Sequence, residues 1–164
     1  MKENLKIHHG HLTPHNILIS KDSKKLQICD IGLTALKKYS ACLFNYMNKS
    51  QFSCPQTLEE KGNVALQATE KSDVYSLGMI MWFMFREQIP FHNLSSSAVK
   101  TYILDDRARP KIPENLDESL CQLVRVCWQQ NPENRPTLNE ISEFLKTYTQ
   151  KMTAKNTEKK HSFY

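Results

Sequence analysis

His8, His9, His11 and His15 crowd into the opening of the chain around Pro14, and Asn16 follows at once. Imidazoles act as bases near neutral pH and as zinc ligands, so the cluster invites both readings. The zinc reading is the weaker one, because structural sites use Cys or His in recognisable pairs and a chain broken at Pro14 does not hold His11 and His15 on one helical face. A second pairing is chemically more specific. NILI from Asn16 and LQICD ending at Asp30 are strand signals separated by the charged turn SKDSKK, which predicts a hairpin with Asn16 and Asp30 at its adjoining outer ends. A side-chain amide and a carboxylate held together are oxygen ligands of the kind magnesium takes. Tyr39, Ser40, Tyr46, Ser50 and Ser53, in and just after the irregular stretch from Leu33 to Phe52, are candidate phosphate acceptors.

The elements that must position these groups are mostly helices. SDVYSLGMIMWFMF, Ser72 to Phe85, is the longest nearly uncharged apolar segment, with Ser72 as its cap and Val74, Leu77, Ile80, Met81, Met84 and Phe85 at helical spacings. Trp82 and Phe83 fill its other side, and a helix apolar all round is a buried helix. It is too short for a bilayer, which needs roughly twenty residues. Ala98 to Leu104 predicts a short helix behind the serines of HNLSSS. ESLCQLVRVCWQQ predicts an amphipathic helix facing inward with Leu120, Leu123, Val124 and Cys127, and LNEISEFLKTY a last one with Leu138, Ile141 and Leu145. From Thr147 the composition turns to Lys, Thr, Gln and Asn without apolar periodicity, which predicts a disordered basic tail. The expected organisation is a short lead (1–6), one domain (7–146) and the tail (147–164). The fold class is α+β, mainly α: a helical bundle around a buried central helix with a small β-hairpin sheet.

Composition narrows the function. The chain's 164 residues suffice for one core, and its net charge of +5 comes substantially from the end of the chain. Lys151, Lys155, Lys159 and Lys160 lack the aromatic interleaving of a nucleic-acid surface, so neither nucleic acid nor membrane is the expected partner. Cys29, Cys42, Cys54, Cys121 and Cys127 are odd in number and scattered, and no secretory segment opens the chain, which fits a reducing cytoplasmic setting with the nucleus left open. Only four glycines occur, none in a phosphate-binding loop.

Several stretches, in order, resemble the protein kinase family. His9-Gly10-His11-Leu12-Thr13-Pro14-His15-Asn16 is similar to the catalytic loop H-R-D-L-K-x-x-N, Asp30-Ile31-Gly32 to the metal motif D-F-G, and Cys54-Pro55-Gln56 to A-P-E. SDVYSLG resembles the family's buried central helix, and Cys127 to Thr137, CWQQNPENRPT, its closing signature, especially in the tyrosine-kinase-like group. The resemblance runs from about Ile7 to Leu145 and implies the C-terminal lobe of a kinase fold without the N-terminal lobe. It implies that Asn16 and Asp30 stand at the magnesium-ligand positions and that Leu18 with Asp30 meets the nucleotide. It also implies that His9 and Asp73 brace the catalytic loop, that Asp73, Ile80 and Met84 share one helical face, that Ile31 stays in the core, and that Gln56 faces Arg135.

The departures matter as much. His11 occupies the position of the catalytic carboxylate, and Thr13 that of the loop lysine which steadies the transferring phosphoryl group. Gly10 replaces the arginine that pairs with a phosphorylated activation segment in many members. Gln56 replaces the glutamate that pairs with Arg135, so water or another acid is expected beside that guanidinium. The Gly-rich loop, strand lysine and helix glutamate that place MgATP belong to an upstream lobe with no room before Ile7, so no cofactor is firmly expected and MgATP only weakly. The reading is a pseudokinase that binds another protein, an upstream kinase lobe or a second kinase, with an incomplete form of an active kinase as the alternative. The central helix is expected to leave some of Val74, Met81 and Phe85 short of a partner.

Overall fold

The computed structural model describes residues 7–31, 50–59 and 68–161, with side chains as far as residue 155. Readings placed on the lead, on Gly32, Tyr39, Ser40, Cys42 and Tyr46, and on the side chains of Ser50, Lys159 and Lys160 lie outside the described residues. In chain order the elements are β1 (Ile17–Ile19), β2 (Leu26–Ile28), α1 (Pro55–Leu58), α2 (Glu70–Arg86), α3 (Ser96–Leu104), α4 (Glu118–Cys127) and α5 (Leu138–His161). Single 3₁₀ turns occupy Pro14–Asn16, Ser50–Phe52 and Pro132–Asn134. The architecture is mainly helical with one two-stranded antiparallel sheet, β1 beside β2.

The central helix begins earlier than Ser72 because a second residue completes its cap. The Thr69 hydroxyl accepts the Ser72 N–H at 3.1 Å, and the Ser72 hydroxyl accepts the Thr69 N–H at 3.0 Å. This reciprocal pair satisfies two donors, so Thr69 is the cap and Ser72 sits three residues in. The helix stops where Glu87 turns left-handed at φ 51° and its N–H bonds back to the Phe83 carbonyl at 2.8 Å. Its apolar surface is covered more completely than expected: Val74 and Met81 are buried and Phe85 is half-buried. The exposed position is Met84, at 65%. Cover comes from Leu123, Val124 and Cys127 of α4, from Trp128, from Ile141 of α5, and from Leu12 and Phe52. Gly78 allows the closest approach, since a Cβ there would lie 2.8 Å from Cys127 Cβ and 3.4 Å from the Trp128 nitrogen.

A smaller cluster of Leu58, Val99 and Ile103 ties α1 to α3. Phe91 packs on both clusters, with φ 53° and its ring edge-on to Tyr102 at 6.0 Å. The hairpin pairs Ile17 with Ile28, Leu18 with Gln27 and Ile19 with Leu26, and the Asn16 carbonyl accepts the Cys29 N–H at 3.0 Å. Its ends therefore adjoin as the sequence predicts. Ile17 packs on the main core, while Leu18, Ile19, Leu26 and Ile28 are exposed.

Two expectations for the last helix are corrected. Helix continues from Thr147 to His161 where a disordered tail is expected, because a nucleated helix propagates on Lys, Gln, Glu and Ala without needing an apolar stripe. Lys146–Glu143 pairing and the stacked rings of Phe144 and Tyr148, 6.1 Å apart, support its middle. Leu138 and Leu145 are exposed, and α5 is anchored through Ile141 and Phe144 instead.

Gly78→Ala tests the helix contact. Alanine should gain about 0.5–1 kcal/mol of helix propensity, against about 1–3 kcal/mol lost to overpacking. A lower urea midpoint is therefore expected, and an unchanged or raised midpoint would show that α4 can yield.

Candidate functional site

The loop from His9 to Asn16 is held to the central helix by one carboxylate. Asp73 Oδ2 accepts the His9 N–H at 2.8 Å and Oδ1 the Gly10 N–H at 2.7 Å, so a buried charge finds its partners in backbone donors. Gly10 adopts φ 72°, a left-handed conformation that glycine takes without steric cost. The His9 ring is buried and engaged at both nitrogens: Nε2 lies 2.9 Å from the Cys29 carbonyl and Nδ1 accepts the His11 N–H at 3.2 Å. That arrangement requires the neutral ring with its proton on Nε2. His9 thereby joins the loop to the end of β2, and Asp73 joins both to α2.

Thr13 and Asn16, read as the lost cation and a retained metal ligand, bond to each other. Asn16 Oδ1 accepts the Thr13 N–H at 2.7 Å and the Thr13 hydroxyl at 3.1 Å, and Asn16 is 1% exposed. The amide oxygen that magnesium would take is committed to the turn. Asp30 lies beyond β2 in the left-handed region at φ 64°, half-buried, and its carboxylate forms no hydrogen bond among the described residues. Leu18 and Ile31 are 52% and 54% exposed. The expected core role of Ile31 is thus corrected, because the residue lies on a turn beyond the hairpin and outside both apolar clusters. His11 is half-buried at the position read as the catalytic base. Among the described residues no group of three His, Cys, Asp or Glu side chains converges as a metal site.

Behind this loop lies a second constellation. Arg135 is 2% exposed, and its guanidinium donates to Gln56 Oε1 at 2.8 Å and to the carbonyls of Lys71, Gln129 and Gln130 at 2.9, 2.8 and 3.1 Å. The acid expected beside it is absent among the described residues. Carbonyl dipoles take that place, and the Gln56 amide also donates to the Gln130 carbonyl at 2.9 Å. The Lys71 ammonium in turn donates to the Arg135 carbonyl. Both Arg135 and Arg109 stand 5.1 Å from the centroid of the Tyr75 ring. Burial pushes the Tyr75 hydroxyl up to about 12 and the Cys127 thiol likewise to about 12. Burial lowers both guanidiniums, which Cys54 and Tyr75 partly oppose at Arg135. Sequence reading finds Gln56 and Arg135 through the motifs that hold them. It misses Arg109, which arrives from a proline-rich loop without periodicity, and it misses Tyr75, which reads only as another apolar helix position.

A loop braced by a helix carboxylate, a hairpin ending in an acid and an arginine-anchored closing turn define a kinase-type C-terminal lobe. The chain belongs to the protein kinase family, since the family model for the protein tyrosine and serine/threonine kinase domain matches residues 2–145. The serine/threonine/tyrosine-protein kinase HT1 of Arabidopsis thaliana is 26% identical over 85% of this chain and 34% of its own length. The dual specificity protein kinase pyk3 of Dictyostelium discoideum is 32% identical over 87% of the chain and 10% of its own. The human receptor-interacting serine/threonine-protein kinase 1 is 29% identical over 85% of the chain and 23% of its own. Tyrosine-kinase-like kinases are therefore among the proteins this chain resembles, and it spans only about a tenth to a third of their lengths.

Asp73→Asn should loosen the loop, because an amide can accept at one atom only and turns its NH₂ toward the other backbone donor. A loss of about 2–3 kcal/mol is expected, with faster amide exchange at His9 and Gly10; unchanged exchange would refute the clamp. Stability should also fall at alkaline pH. The unfolded chain deprotonates Cys127 near 9.0 and Tyr75 near 10.0, below their folded values of about 12. The stabilisation is thus complete below pH 9 and is lost as pH rises toward 12. Tyr75→Phe should make the fall above pH 10 shallower in urea midpoints, and an identical profile would contradict the burial of that hydroxyl.

Proposed function

We propose that this chain acts as a kinase-like domain that does not transfer phosphate and works by binding another protein. The observation that carries the reading is the chemistry of one loop: a half-buried imidazole, His11, at the catalytic carboxylate position, and Thr13 at the loop-lysine position with its hydroxyl bonded to Asn16 Oδ1. A histidine can take a proton near neutral pH, yet it does not supply the carboxylate acceptor aimed at a substrate hydroxyl. Thr13 brings no positive charge to a transferring phosphoryl group. Asn16 Oδ1 accepts two hydrogen bonds from Thr13 and can ligate a cation only by giving up at least one of them, so MgATP is expected to bind weakly. The exposed apolar residues of the hairpin, Leu18, Ile19, Leu26 and Ile28, together with Ile31, support a protein partner such as an upstream kinase lobe or a second kinase. The absence of a described helix long and apolar enough to cross a membrane and the four free cysteines among the described residues fit a cytoplasmic setting.

The second reading, an incomplete form of an active Ser/Thr or dual-specificity kinase, draws on Asp30. Its carboxylate is unclaimed by hydrogen bonds among the described residues at the end of β2, adjoining Asn16 through the Cys29–Asn16 backbone bond. Purified chain with MgATP and a generic protein substrate separates the readings. No transfer is expected, and His11→Asp alone should not restore it, because the base and the loop cation are lost together and the Asn16 amide oxygen is engaged by Thr13. Transfer that disappears in Asp30→Ala would establish the active kinase.

A further inference from the structure

The exposed hairpin carries a charge pattern as well as apolar residues. Directly paired residues of antiparallel strands point to the same side, so Ile17, Ile28, Ile19 and Leu26 share one face of the sheet, with Leu18 and Gln27 on the other. Ile17 joins the main core, while Ile19, Leu26 and Ile28 on that same face are 65%, 61% and 44% exposed. One pair beyond Ile19 and Leu26 the chain turns, with the Ser20 N–H donating to the Lys25 carbonyl at 2.9 Å. The turn is pinned from within: Asp22 Oδ1 accepts the Ser20 hydroxyl at 2.5 Å and the Lys24 N–H at 3.2 Å, and the Ser20 hydroxyl oxygen accepts the Lys25 N–H at 2.9 Å. The bonds from Ser20 and Lys24 hold the Asp22 carboxyl below the usual carboxylate range. Lys21, Lys24 and Lys25 are exposed, and their ammonium groups form no hydrogen bond or ion pair among the described residues. Core contact, apolar face and cationic turn thus follow one another along the hairpin.

We infer that this hairpin face is the docking site for an acidic amphipathic helix of another protein, whose apolar stripe covers Ile19, Leu26 and Ile28 and whose carboxylates pair with the lysines of the turn. The inference rests on the reading of the hairpin as a partner surface and adds the partner's chemistry. Charge complementarity selects the sign: three lysines against Asp22, whose Oδ1 is already engaged, leave the turn net positive, so a carboxylate-bearing partner is attracted and a basic one repelled. A helix laid on the face covers side chains of both strands, whereas a strand added at either edge leaves them in water. A bilayer met end-on would receive the lysines and Asp22 before any apolar residue, the reverse of an inserting element, so the order of groups along the hairpin favours a partner lying alongside it.

The test titrates the whole chain with two synthetic peptides that share one leucine stripe at helical spacing, one with glutamates and the other with lysines beside the stripe, and reads the amide shifts of the hairpin. The glutamate peptide should shift the amides from Leu18 to Ile28 saturably, with affinity that falls as salt rises. Replacing Lys21, Lys24 and Lys25 together by Gln should weaken it about tenfold and flatten the salt dependence. Ile19→Ser should weaken it while leaving the salt dependence in place, with circular dichroism confirming the helical content of each variant. No shift with the glutamate peptide, equal affinity for the lysine peptide or an undiminished response in both variants overturns the site. Tighter binding to vesicles of anionic phospholipid overturns it in favour of a membrane, and self-association through the same amides in favour of a second copy. Phosphate transfer is not a readout here, so failure of the docking site leaves the non-catalytic reading standing, and transfer by the chain would refute that reading without touching the peptide result.

Discussion

The arrangement of the loop depends on one buried carboxylate. Asp73 stands in the first turn of α2, where the helix dipole favours a negative charge, and spends both oxygens on consecutive backbone N–H groups of another segment. The interaction specifies backbone position and is indifferent to what side chains the loop carries. Side chains such as His11 and Thr13 can therefore vary without unseating the loop, because its position is fixed through atoms that every residue possesses. The His9 ring extends the same anchorage to the hairpin, so helix, loop and sheet are registered by three hydrogen bonds whose partners are largely main chain.

Arg135 shows the same economy at the other end of the chain. A buried guanidinium ordinarily calls for an acid, and leaving one unpaired costs several kcal/mol. Here the fork is filled by the carbonyls of Lys71, Gln129 and Gln130 and by Gln56, each contributing a dipole in place of a unit charge. Hydrogen bonding is largely preserved while the charge stays uncompensated, and the two requirements of a buried ion are thereby separated. The geometry of a closing signature can persist after its electrostatics have changed.

The fold was legible wherever the signal was local and periodic. The apolar run of α2, the capped start of α3, the amphipathic face of α4 and the paired ends of the hairpin all follow from spacing and turn chemistry. Boundaries slipped where a cap used two residues, as Thr69 and Ser72 do, and where propagation carried α5 through a polar sequence. For the site, motif order located His9, Asn16, Asp30, Gln56 and Arg135. What spacing could not convey was which way a polar side chain spends its hydrogen bonds: Asn16 turns inward to Thr13, and Arg135 finds carbonyls where an acid was expected. Those choices are made between segments far apart in sequence, so no window of residues contains them.

The left-handed backbone of Phe91 carries a further consequence. A bulky residue in that region stores about 1–3 kcal/mol of strain, which its ring offsets by packing on the main core and on the small cluster around Val99 and Ile103. Phe91 is one joint between the clusters, beside the Gln56 bonds from α1 to Arg135 and Gln130, so part of the cooperativity between them passes through a strained residue. When that ring leaves its seat the strain is released at the same moment, which lowers the cost of loosening this contact.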